Sequence, residues 1–174
     1  MPDRRRYPIV RKVSSPGPSD GRPTLRKDGV SQRGRILYVE DDDENWDVAE
    51  YRLGHEFEVL RASNSLQACE ALRRHGPALV AILMDIELRG SDLNGIELTE
   101  LFRGKRLEIR LPSYAEKLPT FTRPIIFVTA HGARYTDVEL MLFGADRVIA
   151  KPVDFAELTA ALGSSAMPRP PRGR

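Results

Sequence analysis

Ile82-Leu83-Met84-Asp85-Ile86 places an aspartate at the end of a short apolar run, where a buried parallel strand stops. Two other runs end on polar residues. Ile36-Leu37-Tyr38-Val39 leads into Glu40-Asp41, and Ile125-Ile126-Phe127-Val128 leads into Thr129. A weaker fourth, Val148-Ile149-Ala150, ends at Lys151-Pro152. In an open parallel α/β sheet the strand carboxyl ends share one edge, and ligands bind there. The pattern therefore predicts three carboxylates, a hydroxyl and a lysine in one pocket.

Outward from these endings, strands are expected at about 35–39, 57–61, 79–84, 125–129 and 147–150. Helices are expected at about 44–53, 65–75, 95–103, 134–143 and 154–163. Phe155, Leu158, Thr159 and Leu162 fall on one face of the last helix, and Asp154 with Glu157 forms a candidate capping box. Asn64 and Gln67 suggest a similar start for the second helix. His75-Gly76-Pro77 suggests its stop, with a left-handed glycine before a proline. Strand–helix alternation argues an α/β fold with a parallel sheet covered on both faces. Two connections stand out. The loop after Asp85 carries Arg89-Gly90-Ser91-Asp92-Leu93-Asn94-Gly95, and residues 104–123 form a link well beyond the usual length, with a short helix expected near 114–118. Helix-to-strand links lie at the edge opposite the strand carboxyl ends, so the long link is not expected to cover the pocket.

Charge divides the chain of 174 residues into three parts. Residues 1–34 hold nine Arg/Lys against three Asp, and 165–174 hold three Arg and no acid. Within a net charge of +2, this leaves seven excess negative charges in 35–164. The first and last segments are rich in Pro, Gly and Arg and poor in large apolar residues. They are expected to be disordered basic tails around one domain, 35–164. No run approaches the roughly 20 apolar residues of a membrane helix, and the basic N-terminus has no apolar signal core. No membrane insertion is expected. The single cysteine, Cys69, forms no internal disulfide; it reads as packing in a helix, and a cytoplasmic location is expected.

Glu40, Asp41 and Asp85 brought together would repel one another unless a cation sat among them. Hard oxygen donors open to water suit Mg²⁺, which also bridges to phosphate. A lysine ammonium suits a phosphoryl oxygen and a threonine hydroxyl can donate to another. Such a set fits a carboxylate nucleophile accepting a phosphoryl group.

With Ile36-Leu37-Tyr38-Val39-Glu40-Asp41-Asp42, Leu83-Met84-Asp85-Ile86, Phe127-Val128-Thr129-Ala130, Gly144-Ala145-Asp146 and Lys151-Pro152 in this order, the chain resembles the receiver domain of two-component response regulators. The resemblance spans 35–164. It implies a flavodoxin-like (βα)5 three-layer sandwich with a five-stranded parallel sheet in the order 2-1-3-4-5. It also implies Asp85 as phosphoacceptor, Glu40 and Asp41 as the acidic pair of the Mg²⁺ site, and Glu87 as a ligand through its backbone carbonyl. Thr129 would be the switch hydroxyl, Lys151 the phosphate-contacting lysine, and the Lys151–Pro152 bond cis. A histidine kinase or phosphotransfer protein would be the donor.

Three departures mark this chain. Val148 stands where the family usually has an aromatic residue, the loop after Asp85 is about two residues longer with Arg89 where proline is common, and His131 sits where the family tunes access of water. Asp42, Asp43 and Glu44 read as an ordinary acidic helix start. His55, His75 and His131 lack metal-ligand spacing. Tyr114, Leu118 and Phe121 of the long link are expected to pack down onto the domain in preference to forming a partner surface.

These observations predict a stand-alone response regulator, not an enzyme with a separate substrate, that passes its signal to an unknown downstream protein. The alternative is a phosphorylation-independent scaffold of the same fold, favoured by Val148 and the altered loop. A haloacid dehalogenase-type phosphatase would need its nucleophile in an Asp-x-Asp arrangement after the first strand, and this chain lacks that pattern. Nucleic-acid binding is not expected except through the basic tails.

Overall fold

Runs rich in Ile, Leu and Val become strands because branched side chains pack well on a pleated surface, and here both faces of that surface are covered. The computed structural model describes residues 33–130 and 135–165. Strands β1 (Gly34–Val39), β2 (Phe57–Ala62), β3 (Leu79–Met84), β4 (Ile125–Thr129) and β5 (Arg147–Ala150) alternate with helices α1 (Asp43–Leu53), α2 (Ser65–His75), α3 (Gly95–Phe102), α4 (Asp137–Phe143) and α5 (Phe155–Ser165). The strands pair in parallel in the order β2-β1-β3-β4-β5. The flavodoxin-like sandwich is the observed fold.

Successive side chains on a strand face opposite ways, and two cores follow. Ile36, Tyr38, Leu83, Ile126, Val128 and Ile149 pack under α1 and α5 against Leu53, Leu158 and Leu162. Leu37, Val39, Ile82, Met84, Ile125 and Phe127 pack under α2, α3 and α4 against Leu72, Leu98, Phe102 and Leu140. Burying each such side chain contributes about 2 kcal/mol. Cys69 lies in the second core, where burial pushes its thiol up to about 11. No helix among the described residues is long and apolar enough to cross a membrane.

Several boundaries differ from expectation for local reasons. Gly34 pairs with Phe57, so β1 begins inside the segment assigned to the basic tail, and α5 runs on to Ser165. Apart from Arg33, which donates to the Gly54 carbonyl, the other residues of both tails lie outside the described residues. Gly76 is right-handed rather than left-handed, because the chain continues from α2 into a 3-10 turn (Gly76–Ala78) that holds Pro77 near its start. The start of α4 is Asp137 rather than 134. Thr136 caps it, accepting from the Glu139 N–H while the Glu139 carboxylate accepts from the Thr136 N–H. A second reciprocal box, Asn94 with Glu97, starts α3. In the candidate box of α2, Asn64 accepts from the Gln67 N–H, but the Gln67 side chain turns to Ser63.

The long link contains only a 3-10 turn (Ser113–Ala115) in place of the expected helix at 114–118. Phe121 is buried, and Tyr114 and Leu118 pack half-buried against the core. The path of the link corrects its expected placement. The Tyr114 hydroxyl is hydrogen-bonded to the Ser65 hydroxyl at the start of α2 (2.7 Å) and donates to the Asp92 carboxylate in the loop after β3 (2.8 Å). The link thus climbs to the edge of the sheet that bears the strand carboxyl ends.

Candidate functional site

Register sets the site. Val39 is level with Met84, and Met84 with Phe127, so Glu40 and Asp85 leave the sheet side by side. The Asp85 N–H donates to the Val39 carbonyl (3.0 Å), and the Glu40 N–H to the Ala62 carbonyl (2.9 Å). These backbone bonds continue the ladders one residue beyond the strands and aim both carboxylates at one point. At the same edge α3 approaches so closely that a Cβ on Gly95 would lie 1.9 Å from the Asp85 carbonyl oxygen. Glycine is the residue that allows this packing.

Glu40, Asp41 and Asp85 each offer a carboxylate oxygen within 4.8 Å of the others. Glu40 is fully buried and held by several donors. Tyr38 Oη donates to Oε2 (2.8 Å), and the Asp42 N–H donates to Oε1 (3.2 Å). The Lys151 ammonium lies between Glu40 (2.7 Å) and Asp85 (2.5 Å). Burial raises the Asp85 carboxyl above the usual carboxylate range, with the Lys151 hydrogen bond and charge opposing and Glu40 adding to the rise. Burial alone would lower Lys151, but the hydrogen bonds and charges of Asp85 and Glu40 outweigh it and hold the ammonium above its ordinary value. Burial also pushes the Tyr38 hydroxyl up, with Glu40 adding to it, so Tyr38 stays a donor.

Around these residues is an open cleft of about 170 Å³ lined by Glu40, Asp41, Asp42, Asn45, Asp85, Glu87, Arg89 and Ala130. The 104–123 link contributes no lining residue. Thr129 is buried at the end of β4, and the Lys151 N–H donates to its carbonyl (2.9 Å), which joins the ends of β4 and β5. The cleft wall at that point is Ala130, the next residue. The Glu87 N–H donates to Asp85 Oδ1 (3.3 Å), which places its backbone at the rim. The Lys151–Pro152 bond is cis. Val148 is half-buried against the core under α4, and His131 lies outside the described residues.

Three oxygen donors of differing burial, gathered on one side of the cleft, are the donor set that a hard divalent cation takes. The residues fit such an ion.

Two arginines complete the site. Arg61 of β2 donates to the Asp43 carboxylate (2.6 Å) and to the Asp41 carbonyl (3.3 Å) while lying over the Trp46 ring. Arg89 pairs with both Asp41 (2.8 Å) and Asp42 (3.1 Å). Asp42 is therefore more than an acidic helix start. It caps α1 by accepting from the Asn45 N–H and also holds Arg89. Sequence reasoning noted Arg89 only as a departure and did not single out Arg61. Neither pairing has a local signal, because each joins segments far apart in sequence that meet only in the fold.

The profile of the response regulator receiver domain family matches residues 36–163. The chain belongs to this family. The receiver domain is 29% identical over 143 residues to the photosynthetic apparatus regulatory protein RegA of Cereibacter sphaeroides, covering 79% of this chain and 67% of that protein. It is 32% identical over 127 residues to YrkP of Bacillus subtilis, an uncharacterized transcriptional regulatory protein, covering 72% of this chain and 46% of that one. The chain thus spans about two thirds of one relative and under half of the other. Among solved structures, the receiver domain of Francisella response regulator 1452 superposes with a TM-score of 0.61 at 17% identity, covering 76% of this chain and 96% of that one, a likeness of fold. The receiver domain of the sensor histidine kinase PA1611 of Pseudomonas aeruginosa has a TM-score of 0.58 at 28% identity, covering 76% and 97%. That structure holds a magnesium ion coordinated in its active-site cleft.

Proposed function

We propose that this receiver domain is a phosphoacceptor of a two-component phosphorelay, with Asp85 receiving the phosphoryl group. The observation that carries this reading is the placement of the Asp85 carboxylate beside Glu40 and Asp41, with the Lys151 ammonium 2.5 Å from one of its oxygens. Glu40, Asp41 and Asp85, with the backbone carbonyl of Glu87, would hold Mg²⁺, which when bound offsets the repulsion between the carboxylates and an incoming phosphoryl group.

An Asp85 carboxylate oxygen attacks the phosphorus of a phosphohistidine on a histidine kinase or phosphotransfer protein. The P–O bond forms as the P–N bond breaks, and the imidazole leaves. Lys151 keeps one Asp85 oxygen oriented and supplies positive charge to the phosphoryl oxygens, and the Thr129 hydroxyl donates to one of them. Positioning and electrostatics supply most of the acceleration in such transfers. The signal then passes by a population shift to a downstream protein. α4 presents exposed Val138, Met141 and Leu142 beside β5 for such a contact.

The test is transfer of labelled phosphoryl from a phosphohistidine-bearing donor protein. Label should move to the chain only with Mg²⁺ present, show the alkali and hydroxylamine lability of an acyl phosphate, and be absent in Asp85→Asn. The pairing of Arg89 with Asp41 favours one second reading, a phosphorylation-independent scaffold in which an arginine replaces the metal. No transfer from any donor, at any Mg²⁺ concentration, would select it.

A further inference from the structure

Arg89 lines the cleft, and the proposed phosphotransfer does not use it. Its Nε donates to Asp41 Oδ2 (2.8 Å) and its Nη2 to Asp42 Oδ2 (3.1 Å), so one guanidinium bridges two carboxylates. Asp41 is also a member of the carboxylate cluster that fits a divalent cation. The same carboxylate would serve both cations.

The loop that carries Arg89 is anchored beyond it. Gly90, at φ +68, reverses the chain directly after Arg89. Ser91 Oγ accepts from the Ser65 N–H (2.8 Å) and donates to the Leu93 carbonyl (2.9 Å). Asp92 accepts from Tyr114 of the 104–123 link (2.8 Å), and Asn94 caps α3. The far side of the loop is thus fastened to α2, α3 and the link, while Arg89 reaches back over the cleft. Its side chain is 76% exposed against 11% for Asp41. A guanidinium so exposed returns to water at little cost, since ion pairs at a surface are weak.

We propose that Arg89 is a tethered, displaceable competitor for the divalent cation. Its guanidinium neutralises Asp41 when no metal is bound and must release that carboxylate for the metal to enter. The β3–α3 loop thereby sets the metal affinity of the site. This inference rests on the reading of Glu40, Asp41 and Asp85 as a divalent-cation site. Its consequence is a higher Mg²⁺ requirement than the three carboxylates and Lys151 alone would impose.

The experiment is calorimetric titration of Mg²⁺, and separately Mn²⁺, into the full chain as wild type, Arg89→Gln and Arg89→Lys, with folding of each checked by circular dichroism. Arg89→Gln should bind both ions about three- to tenfold more tightly than wild type. Arg89→Lys keeps the charge but loses the planar fork that spans two carboxylates, and should bind about two- to threefold more tightly. If Arg89→Lys matches wild type while only Arg89→Gln gains, Arg89 acts through its field alone and the tethered-competitor inference falls. Weaker binding in either variant would also overturn it, since Arg89 would then be orienting Asp41 for the metal. Equal affinities in all three chains would sink the inference and leave the metal site standing. Absence of binding in all three would remove both.

Discussion

Lys151 sets the charge balance of the cleft. Its ammonium is the cation shared by fully buried Glu40 and nearly buried Asp85, and removing one partner of a buried pair leaves uncompensated charge. In chelator, Lys151→Gln should lose about 3 kcal/mol of stability. Added Mg²⁺ should then raise its melting temperature by more than it raises that of wild type, because binding to the native state is what stabilises. Thermal melts with and without Mg²⁺ measure this, and an equal rise in both proteins would contradict it. Gly95 acts at the same scale through space. The Cβ of Gly95→Ala would lie 1.9 Å from the Asp85 carbonyl oxygen, so either α3 or the end of β3 must move. Glycine-to-alanine changes in helices usually stabilise. Here a loss of about 2 kcal/mol is expected by denaturant unfolding.

Among the elements, the 104–123 link is where this receiver departs most from the expected economy, and Arg103 is its fastening. At the end of α3 its guanidinium donates to the carbonyls of Phe121, Arg123 and Gly144 and to the Asp146 carboxylate (2.6 Å), which in turn accepts from the Ile125 N–H. One side chain therefore joins the end of the link, the end of α4 and the starts of β4 and β5. Arg103→Met keeps the length and removes every donor. It should cost about 3 kcal/mol, read as a lower denaturant midpoint, and a shift under about 0.5 kcal/mol would mean the hub is held by other contacts.

The same elements explain what sequence could and could not tell. Strands β1, β3 and β4 were legible because apolar runs buried on both faces stop abruptly at Glu40, Asp85 and Thr129. The meeting of Glu40, Asp41, Asp85 and Lys151 followed from parallel pairing alone. The course of the link was not legible, since no local pattern shows a helix-to-strand connection climbing to the opposite edge. The Tyr114–Asp92 contact spans 22 residues and the Arg89–Asp41 pair spans 48, and such contacts depend on the assembled fold. Gly76 misled because a glycine before proline suits two different helix endings.

At the scale of the molecule, two apolar cores fix a parallel sheet whose polar chemistry is gathered at one edge. There the carboxylates, Lys151 and the Arg89 loop meet. The proposed phosphoacceptance would thus be a property of the whole arrangement, since register, the approach of α3 and the β5 ending all converge on Asp85. The central claim is tested most directly by intact mass after incubation with Mg²⁺ and a small phosphodonor, comparing wild type with Asp85→Asn. The account predicts a single phosphoryl addition to wild type that disappears without Mg²⁺ and is absent from Asp85→Asn. An unchanged wild-type mass under all conditions, or equal addition to Asp85→Asn, would contradict it.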